Sequence, residues 1–233
     1  MSAVDRSLVA ELSIFAGLTL TELDDALREA RSLRFAKNAV AFEQGQEAES
    51  FFLLLHGRVR AQKLTPTGEQ VVIRFIAPGE MFGVAMAIGQ SIYPATAIAV
   101  VESVALAWPN SAWPGMLARF PTLGVHTMQT LGARLQESQT RLMEMSTLEV
   151  ERRIAHALLR LLSQGGKQTT EGVLIDFPIS RQDIAQMTGT TLHTVSRILS
   201  AWEERGLVVS GRQKVTVRNP AQLARLADAE GTS

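Results

Sequence analysis

The side chains best suited to chemistry in this chain are His193 and Arg197, which lie four residues apart. On a helix, a spacing of four places both side chains on one face. The Arg197 guanidinium can donate two hydrogen bonds to guanine O6 and N7, and the His193 imidazole can donate or accept at a base edge. Together with Ser196, these residues are predicted to read bases in the major groove of DNA.

Two short helices joined by a tight turn must position this face. Ser180 is a candidate helix N-cap, and Asp183, three residues later, can complete a capping box. Gly189 falls in the turn, where helix–turn–helix units often need a positive φ. The apolar spacing of the second helix predicts an inward face formed by Leu192, Val195, Ile198, Leu199 and Trp202.

Other polar and basic residues around this unit are suited to phosphate contacts, which position a protein on DNA without reading its sequence. A hairpin is predicted over residues 207–217, where it would act as a wing. The alternative is a helical pair whose polar residues are only solvated, but the turn, the inward pattern and the hairpin together favour DNA binding. The predicted phosphate contacts are Arg181, Thr191, Thr194, Arg212 and Lys214.

The chain from Leu33 to Trp108 contains short β-rich runs separated by glycine-bearing turns. Many short strands at regular spacing predict a small antiparallel barrel or roll. Residues 7–31 show apolar spacings of three and four, which predict short helices ahead of the roll. The predicted strands are Ala39–Phe42, Ser50–His56, Val59–Lys63, Gln70–Ile76, Ala95–Val101 and Ser103–Trp108.

Residues 111–146 are predicted to be helical, with a break at Phe120-Pro121. Apolar residues beyond the break follow a narrow heptad pattern, in which Ser138 fills a gap. So narrow a stripe fits pairing with one partner helix, although a helix lying on its own barrel is the alternative. The predicted dimer seam is Met128, Leu131, Leu135, Leu142 and Met145.

These elements predict an α+β chain with three parts. Residues 1–120 form an antiparallel β-roll that serves as an effector domain, with helices at its N-terminal end. Residues 121–146 form a long dimerisation helix. Residues 147–233 form a winged helix–turn–helix domain that binds DNA.

Composition narrows the function classes. The 233 residues include no cysteine and carry a net charge of zero, so disulfides, thiolate zinc sites and cysteine-ligated clusters are excluded. No apolar stretch reaches the ~18 residues of a membrane helix and no signal-peptide pattern is present, so we expect a cytoplasmic protein with no membrane partner. Because no nucleophile–base pair, metal-ligand spacing or phosphate loop is found, we expect no enzymatic activity, no catalytic residue and no metal site.

Several motifs carry a family resemblance that extends over nearly the whole chain. They are the segments 14–18, 43–46, 55–59 and 78–83, the long helix and the winged helix–turn–helix. With these features the chain resembles the cyclic-AMP receptor protein/FNR superfamily of bacterial regulators. The resemblance implies a homodimer on a near-palindromic double-stranded DNA site, with half-sites ~34 Å apart. It also implies contact with RNA polymerase if the protein is an activator.

Two residues differ from those of family members that bind cyclic nucleotides, and the difference bears on which effector this chain senses. Members that bind cyclic nucleotides carry a glutamate after the glycine of the phosphate cassette and an arginine further on. Here Val84 follows Gly83, and Tyr93 stands in the arginine's place. Because the cyclic phosphate would meet no guanidinium and the ribose no carboxylate, we expect no binding of cyclic AMP. Sensing through an FNR-type iron–sulfur cluster is excluded by the lack of cysteine.

Within the superfamily, the segments 93–97 and 191–197 resemble the nitrogen-oxide-responsive DNR/NnrR-type regulators, although His193 stands where many members carry glutamate. This likeness makes nitric oxide or redox state a candidate signal, with haem as a candidate cofactor. Two rival hypotheses are a regulator that needs no effector and is controlled by its abundance, and a module that only binds a cyclic nucleotide or another small molecule.

The same resemblance places a candidate effector pocket in the roll, although its apolar members also fit an ordinary barrel core. The pocket residues are Met81, Phe82, Val84, Met86, Tyr93, Thr96 and His126. Haem iron accepts histidine or methionine as an axial ligand. The candidate haem ligands are His56, His126, His156, Met86 and Met128.

Overall fold

The computed structural model describes residues 7–229 of the chain. They divide into two compact units: the first extends to Glu137, apart from Gln70–Val72, which are grouped with the second, and the second begins at Ser138. Both units combine helices with antiparallel strands, which confirms the predicted α+β class. Within residues 7–229, no helix is long and apolar enough to cross a membrane.

The first unit is built on two four-stranded sheets, preceded by two short helices. The helices are α1 (Ser7–Ala10) and α2 (Leu20–Leu27). The strands are β1 (Arg31–Phe35), β2 (Val40–Phe42), β3 (Ser50–His56), β4 (Val59–Leu64), β5 (Gln70–Ile76), β6 (Met81–Phe82), β7 (Thr96–Ala99) and β8 (Ser103–Pro109). One sheet has the order β1-β8-β3-β6 and the other the order β2-β7-β4-β5, which together form the predicted roll.

The first strand of the roll differs from the prediction. The apolar spacing predicts helices over residues 7–31, but β1 begins at Arg31 and pairs with β8, with Arg31 opposite Ala107. Four of its five residues are exposed, so β1 lacks the alternation of buried and exposed side chains that identifies a strand. It is held in place by its pairing with β8.

Aromatic residues fill the interior of the roll. Phe51 stacks on Trp108 with ring centroids 5.4 Å apart, and the Trp108 indole donates a hydrogen bond to the Ala26 carbonyl oxygen at 2.7 Å. On the other side, Phe42 stacks on Tyr93 with centroids 3.8 Å apart. These contacts fix the strands that surround the cavities described below.

Two helices complete the first unit. The short helix α3 (Trp113–Arg119) is followed by its C-cap Phe120, and α4 (Pro121–Thr147) begins at once with proline in its first turn, where the missing N–H costs no helical hydrogen bond. The predicted break at Phe120-Pro121 is confirmed. The 27-residue α4 belongs to the first unit as far as Glu137 and to the second from Ser138.

The second unit has the predicted winged helix–turn–helix order. Its elements are α5 (Val150–Gly165), β9 (Gly166–Thr169), β10 (Gly172–Ile175), α6 (Arg181–Thr188), α7 (Leu192–Glu204), β11 (Val208–Gly211), β12 (Lys214–Val217) and α8 (Pro220–Asp228). The strands form a sheet of order β11-β12-β10-β9. Trp202 of α7 is fully buried and donates its indole N–H to Glu151 of α5 at 2.6 Å, so α7 is anchored to α5.

Candidate functional site

The helix–turn–helix is set by a capping box and a left-handed turn. The Ser180 hydroxyl accepts a hydrogen bond from the Asp183 backbone N–H at 3.0 Å, and the Asp183 carboxylate accepts from the Ser180 N–H at 2.8 Å. Gly189 ends α6 with φ +62°, a conformation that residues with a Cβ rarely adopt. Both local predictions are confirmed, and the turn at Gly189 lets the chain change direction between α6 and α7.

The inward face of α7 is one residue shorter than predicted. Val195, Leu199 and Trp202 are fully buried and Ile198 nearly so, but Leu192 is 48% exposed. Its assignment to the core is wrong because Leu192 is the first residue of α7, beyond the packed part of the helix. Leu192 therefore presents an apolar side chain to solvent at the end of the helix that carries His193.

The predicted base-reading residues lie on the exposed side of α7. His193 and Arg197 are exposed and Ser196 is half-buried. Thr191 is the N-cap, and its hydroxyl accepts from the Thr194 backbone N–H at 3.2 Å. The N-terminus of a helix concentrates unpaired N–H groups and positive dipole, so this end of α7 is suited to a phosphate as well as to a base.

The remaining predicted phosphate contacts differ in their surroundings. Arg212 and Lys214 are exposed on the β11–β12 wing. Arg181 is half-buried and donates to the Ser210 hydroxyl at 2.8 Å, while that hydroxyl donates to Glu203 at 2.7 Å. Arg181 thus connects α6 to the wing, a structural contact that the sequence pattern did not indicate.

The predicted dimer seam is mostly exposed along α4. Met128 is 74% exposed, Leu135 61% and Leu142 67%. Met145 is less exposed, and Leu131 is half-buried against the roll, where it lines the cavities described next. Four of the five residues, Met128, Leu135, Leu142 and Met145, are therefore exposed apolar side chains.

Two cavities open in the first unit beside α4. The larger, of about 240 Å³, is lined by Met81, Val84 and His126 of the predicted effector pocket. The smaller, of about 170 Å³, is lined by Met81, Phe82, Val84 and Thr96 of that set. Both also include Leu131 and Arg134 of α4. Sequence reasoning missed Arg134 as a pocket residue, since only folding brings it to the roll.

Tyr93 and Met86 lie outside both cavities. The Tyr93 hydroxyl donates to the Ser50 carbonyl oxygen at 2.6 Å and accepts from the Ser50 N–H at 3.1 Å. Burial raises the pKa of Tyr93, so the hydroxyl remains a protonated donor. Tyr93 is therefore a core residue, and Met86 is exposed on the surface.

The candidate haem ligands do not converge. His126 lines the larger cavity, where its Nδ1 lies 3.3 Å from the Ile14 carbonyl oxygen and must donate to it. The other candidates among the described residues line neither cavity. A volume of about 240 Å³ is below the ~300–1,000 Å³ of common ligand pockets, so this cavity does not enclose a porphyrin. Within residues 7–229, no group of three or more His, Cys, Asp or Glu side chains is placed to hold a metal ion.

Comparison with known proteins agrees with this architecture. Residues 32–120 match the cyclic nucleotide-binding domain family, and residues 152–226 match the Crp-like helix-turn-helix domain family. The first match covers most of the roll, and the second covers α6, α7 and the wing.

Relatives extend the match to most of the chain. The Cyclic AMP receptor protein of Thermus thermophilus is 31% identical over 214 residues, covering 92% of this chain and 96% of the relative. The Global nitrogen regulator of Synechocystis is 28% identical and covers 82% of this chain and 86% of its own length. The structure of FixK2 from Bradyrhizobium japonicum covers 86% of this chain and 98% of its own at 22% identity, with a TM-score of 0.75. The chain therefore belongs to the CRP/FNR family of transcriptional regulators, whose cyclic nucleotide-binding-like and helix–turn–helix domains it carries.

Proposed function

We propose that this protein is a homodimeric, sequence-specific DNA-binding regulator whose β-roll senses a small molecule other than cyclic AMP. The observation that carries the proposal is the exposed face of α7, where His193 and Arg197 stand on a helix anchored by the buried Trp202. An exposed face on a helix that is anchored on its other side is suited to enter a major groove.

Each residue of this face has a proposed contact. Arg197 pairs with guanine, while His193 and Ser196 contact neighbouring base edges. Leu192 adds an apolar surface that suits the methyl group of thymine. The residues proposed to contact phosphates are Thr191, Thr194, Arg212 and Lys214, with Arg181 contributing the donors that Ser210 leaves free.

The homodimer is proposed from α4. Met128, Leu135 and Leu142 together expose an apolar stripe of the kind that marks protein–protein contact. A second copy of the helix would cover the stripe by heptad packing and pair two recognition helices with a near-palindromic site. An effector that alters this packing would change the pose of both α7 helices. Contact with RNA polymerase follows only if the protein activates transcription.

The residues at the family's phosphate cassette support an effector other than cyclic AMP. Val84 replaces the family's glutamate, and the Tyr93 hydroxyl is already paired with the Ser50 backbone. The size of the two cavities favours a small molecule over a haem-borne nitric oxide signal. The rival hypothesis is a regulator controlled only by its abundance, and a DNA titration with and without effector distinguishes the two. Nitric oxide is one effector tested in this titration, and an absorbance scan of the Soret region of the purified protein tests for haem.

Arg197→Ala is expected to weaken binding by about 1–3 kcal/mol for each half-site, or roughly 5- to 150-fold per half-site, because a bidentate guanine contact is lost in each. The site is first selected from a randomised palindromic pool, and affinity is then measured by fluorescence anisotropy. The control is Arg225→Ala, which removes an exposed arginine of α8. Equal affinity and sequence preference in wild type and Arg197→Ala would refute the assigned pose of α7.

Leu192→Ala is expected to remove a preference for thymine over deoxyuracil at one position of each half-site. In the wild type, replacing that thymine by deoxyuracil should weaken binding roughly 4-fold, the effect of ~0.8 kcal/mol for one buried carbon. The variant should bind both DNAs equally. If wild type shows no such preference at any thymine of the site, Leu192 does not contact a base.

A further inference from the structure

The smaller cavity of the first unit contains two guanidinium groups in mainly apolar surroundings. We call it the arginine cavity. It is lined by Arg74 and Arg134 together with apolar side chains that include Phe42, Ile76, Phe82 and Pro94. Thr96 also lines it, but its hydroxyl already accepts the Gln44 backbone N–H at 3.0 Å.

The two arginines have different partners. Arg74 forms an ion pair with Glu80 at 2.5 Å. Arg134 donates to the Met81 carbonyl oxygen at 2.7 Å, a partner with no formal charge. The Arg134 Nε is buried and has no hydrogen-bond partner among the described residues. Arg134 therefore brings to the cavity wall a guanidinium that is bonded to a neutral carbonyl oxygen and whose buried Nε is unsatisfied among the described residues.

Electrostatics supports the same conclusion. Burial, and next the like charge of Arg74, lower the pKa of Arg134 to about 10, while the carboxylates of Glu80 and Glu137 act in the opposite direction. Arg134 is still charged at neutral pH, but its surroundings disfavour that charge. An anion placed against it would remove the disadvantage.

We propose that the arginine cavity binds a small monocarboxylate with a compact apolar body, its carboxylate on Arg134 and its body against Phe42 and Phe82. This inference deepens the proposed function, since it names the ligand class of the sensing unit. The positive charge that binds the ligand would come from Arg134 of α4. In family members that bind cyclic nucleotides, it comes from an arginine at the position that Tyr93 occupies here.

Size and lining select this class. A volume of about 170 Å³ is well below the ~300–1,000 Å³ of common ligand pockets, which leaves no room for a nucleotide. Apolar cavities of ~150 Å³ hold benzene, so one ring with one carboxylate fits. Inorganic phosphate would leave the apolar wall in contact with water.

The ligand would also touch the helix that carries the dimer seam. Arg134 and Leu131 of α4 both line the arginine cavity, and the exposed Leu135 is the residue after Arg134. A carboxylate bound to Arg134 would hold this part of α4 against the roll. A ligand that binds one arrangement of the helix better than another shifts the population toward it.

Calorimetric titration of the full-length protein with benzoate tests the proposal. Benzamide, which has the same ring without the charge, is the matched control, and inorganic phosphate and cyclic AMP are separate arms. Benzoate is expected to bind, and the other three are not. The proposal would be overturned if benzoate does not bind at about 10 mM, a concentration at which even weak small-molecule binding is detected. It would also be overturned if benzamide binds equally well, or if phosphate or cyclic AMP binds more tightly.

Variants locate the site. Arg134→Gln should weaken benzoate binding roughly 10- to 100-fold, the range for a hydrogen bond to a charged group, whereas the surface control Arg119→Gln should not. Ala61→Leu, which fills the cavity and keeps Arg134, should also abolish binding. Unchanged binding in both cavity variants would refute the site. Loss of DNA binding in Arg197→Ala is measured independently, so this inference can fail while the proposed regulator stands.

Discussion

Arg160→Met is expected to destabilise the second unit by about 3–5 kcal/mol, because it leaves a carboxylate buried without its partner. Arg160 of α5 donates to the Glu144 carboxylate of α4 at 2.6 Å, and the Glu144 side chain is only 10% exposed. The pair joins the end of α4 to the first helix of the DNA-binding unit. Hydrogen exchange of α5 and α7 amides measures the loss, because it reports on this unit separately from the roll.

The double variant Glu144→Leu/Arg160→Met separates the ion pair from simple packing. Removing both charges replaces the pair by apolar contact, which is often neutral or stabilising for buried pairs. The double variant should therefore recover most of the protection that the single variant loses. If it is no more stable than Arg160→Met, the buried charge is not the cause of the loss.

Gly57→Ala is expected to destabilise the first unit by about 2–5 kcal/mol. Gly57 has φ +93°, and a Cβ there would lie 2.3 Å from the Ser103 Oγ and 2.6 Å from the Glu102 carbonyl oxygen. Positive φ costs a residue with a Cβ roughly 1–2 kcal/mol, and overpacking adds about 1–3 kcal/mol or more. Ser103 cannot move freely, since its hydroxyl accepts from the Arg58 N–H and donates to the Val101 carbonyl oxygen.

Gly45→Ala is the matched control for this prediction. Gly45 has nearly the same φ, +85°, but nothing lies within 4 Å of a Cβ placed there. It should lose only the conformational part, and the difference between the two variants measures the clash. Equal losses in thermal unfolding of the two variants would show that the approach of β8 to this corner is not tight.

Local chemistry made much of the fold predictable. Strands β3 and β5 have the predicted bounds, and Ser180, Asp183 and Gly189 take the predicted roles because caps and turns depend on a few neighbouring residues. Strand β1 was missed since its side chains are exposed and its support comes from β8, far along the chain.

The site was less predictable wherever distance in sequence mattered. Leu192 continues the apolar spacing of α7, but spacing alone does not reveal that the buried part of the helix begins one turn later, at Val195. Arg134 reads as one of many polar residues on a long helix, and only the folded chain places it at Met81. Tyr93 was assigned to the pocket by resemblance, whereas its hydroxyl is used by Ser50.

The contacts of Tyr93 limit what a single substitution at this position can achieve. Its ring stacks on Phe42 and its hydroxyl answers both the N–H and the carbonyl of Ser50. Arginine at this position would bury a guanidinium beside Phe42 and remove the side chain that pairs with the Ser50 backbone. Tyr93→Arg alone would therefore not create a phosphate site in this roll, because the aromatic stack and both hydrogen bonds to Ser50 would be lost with the tyrosine.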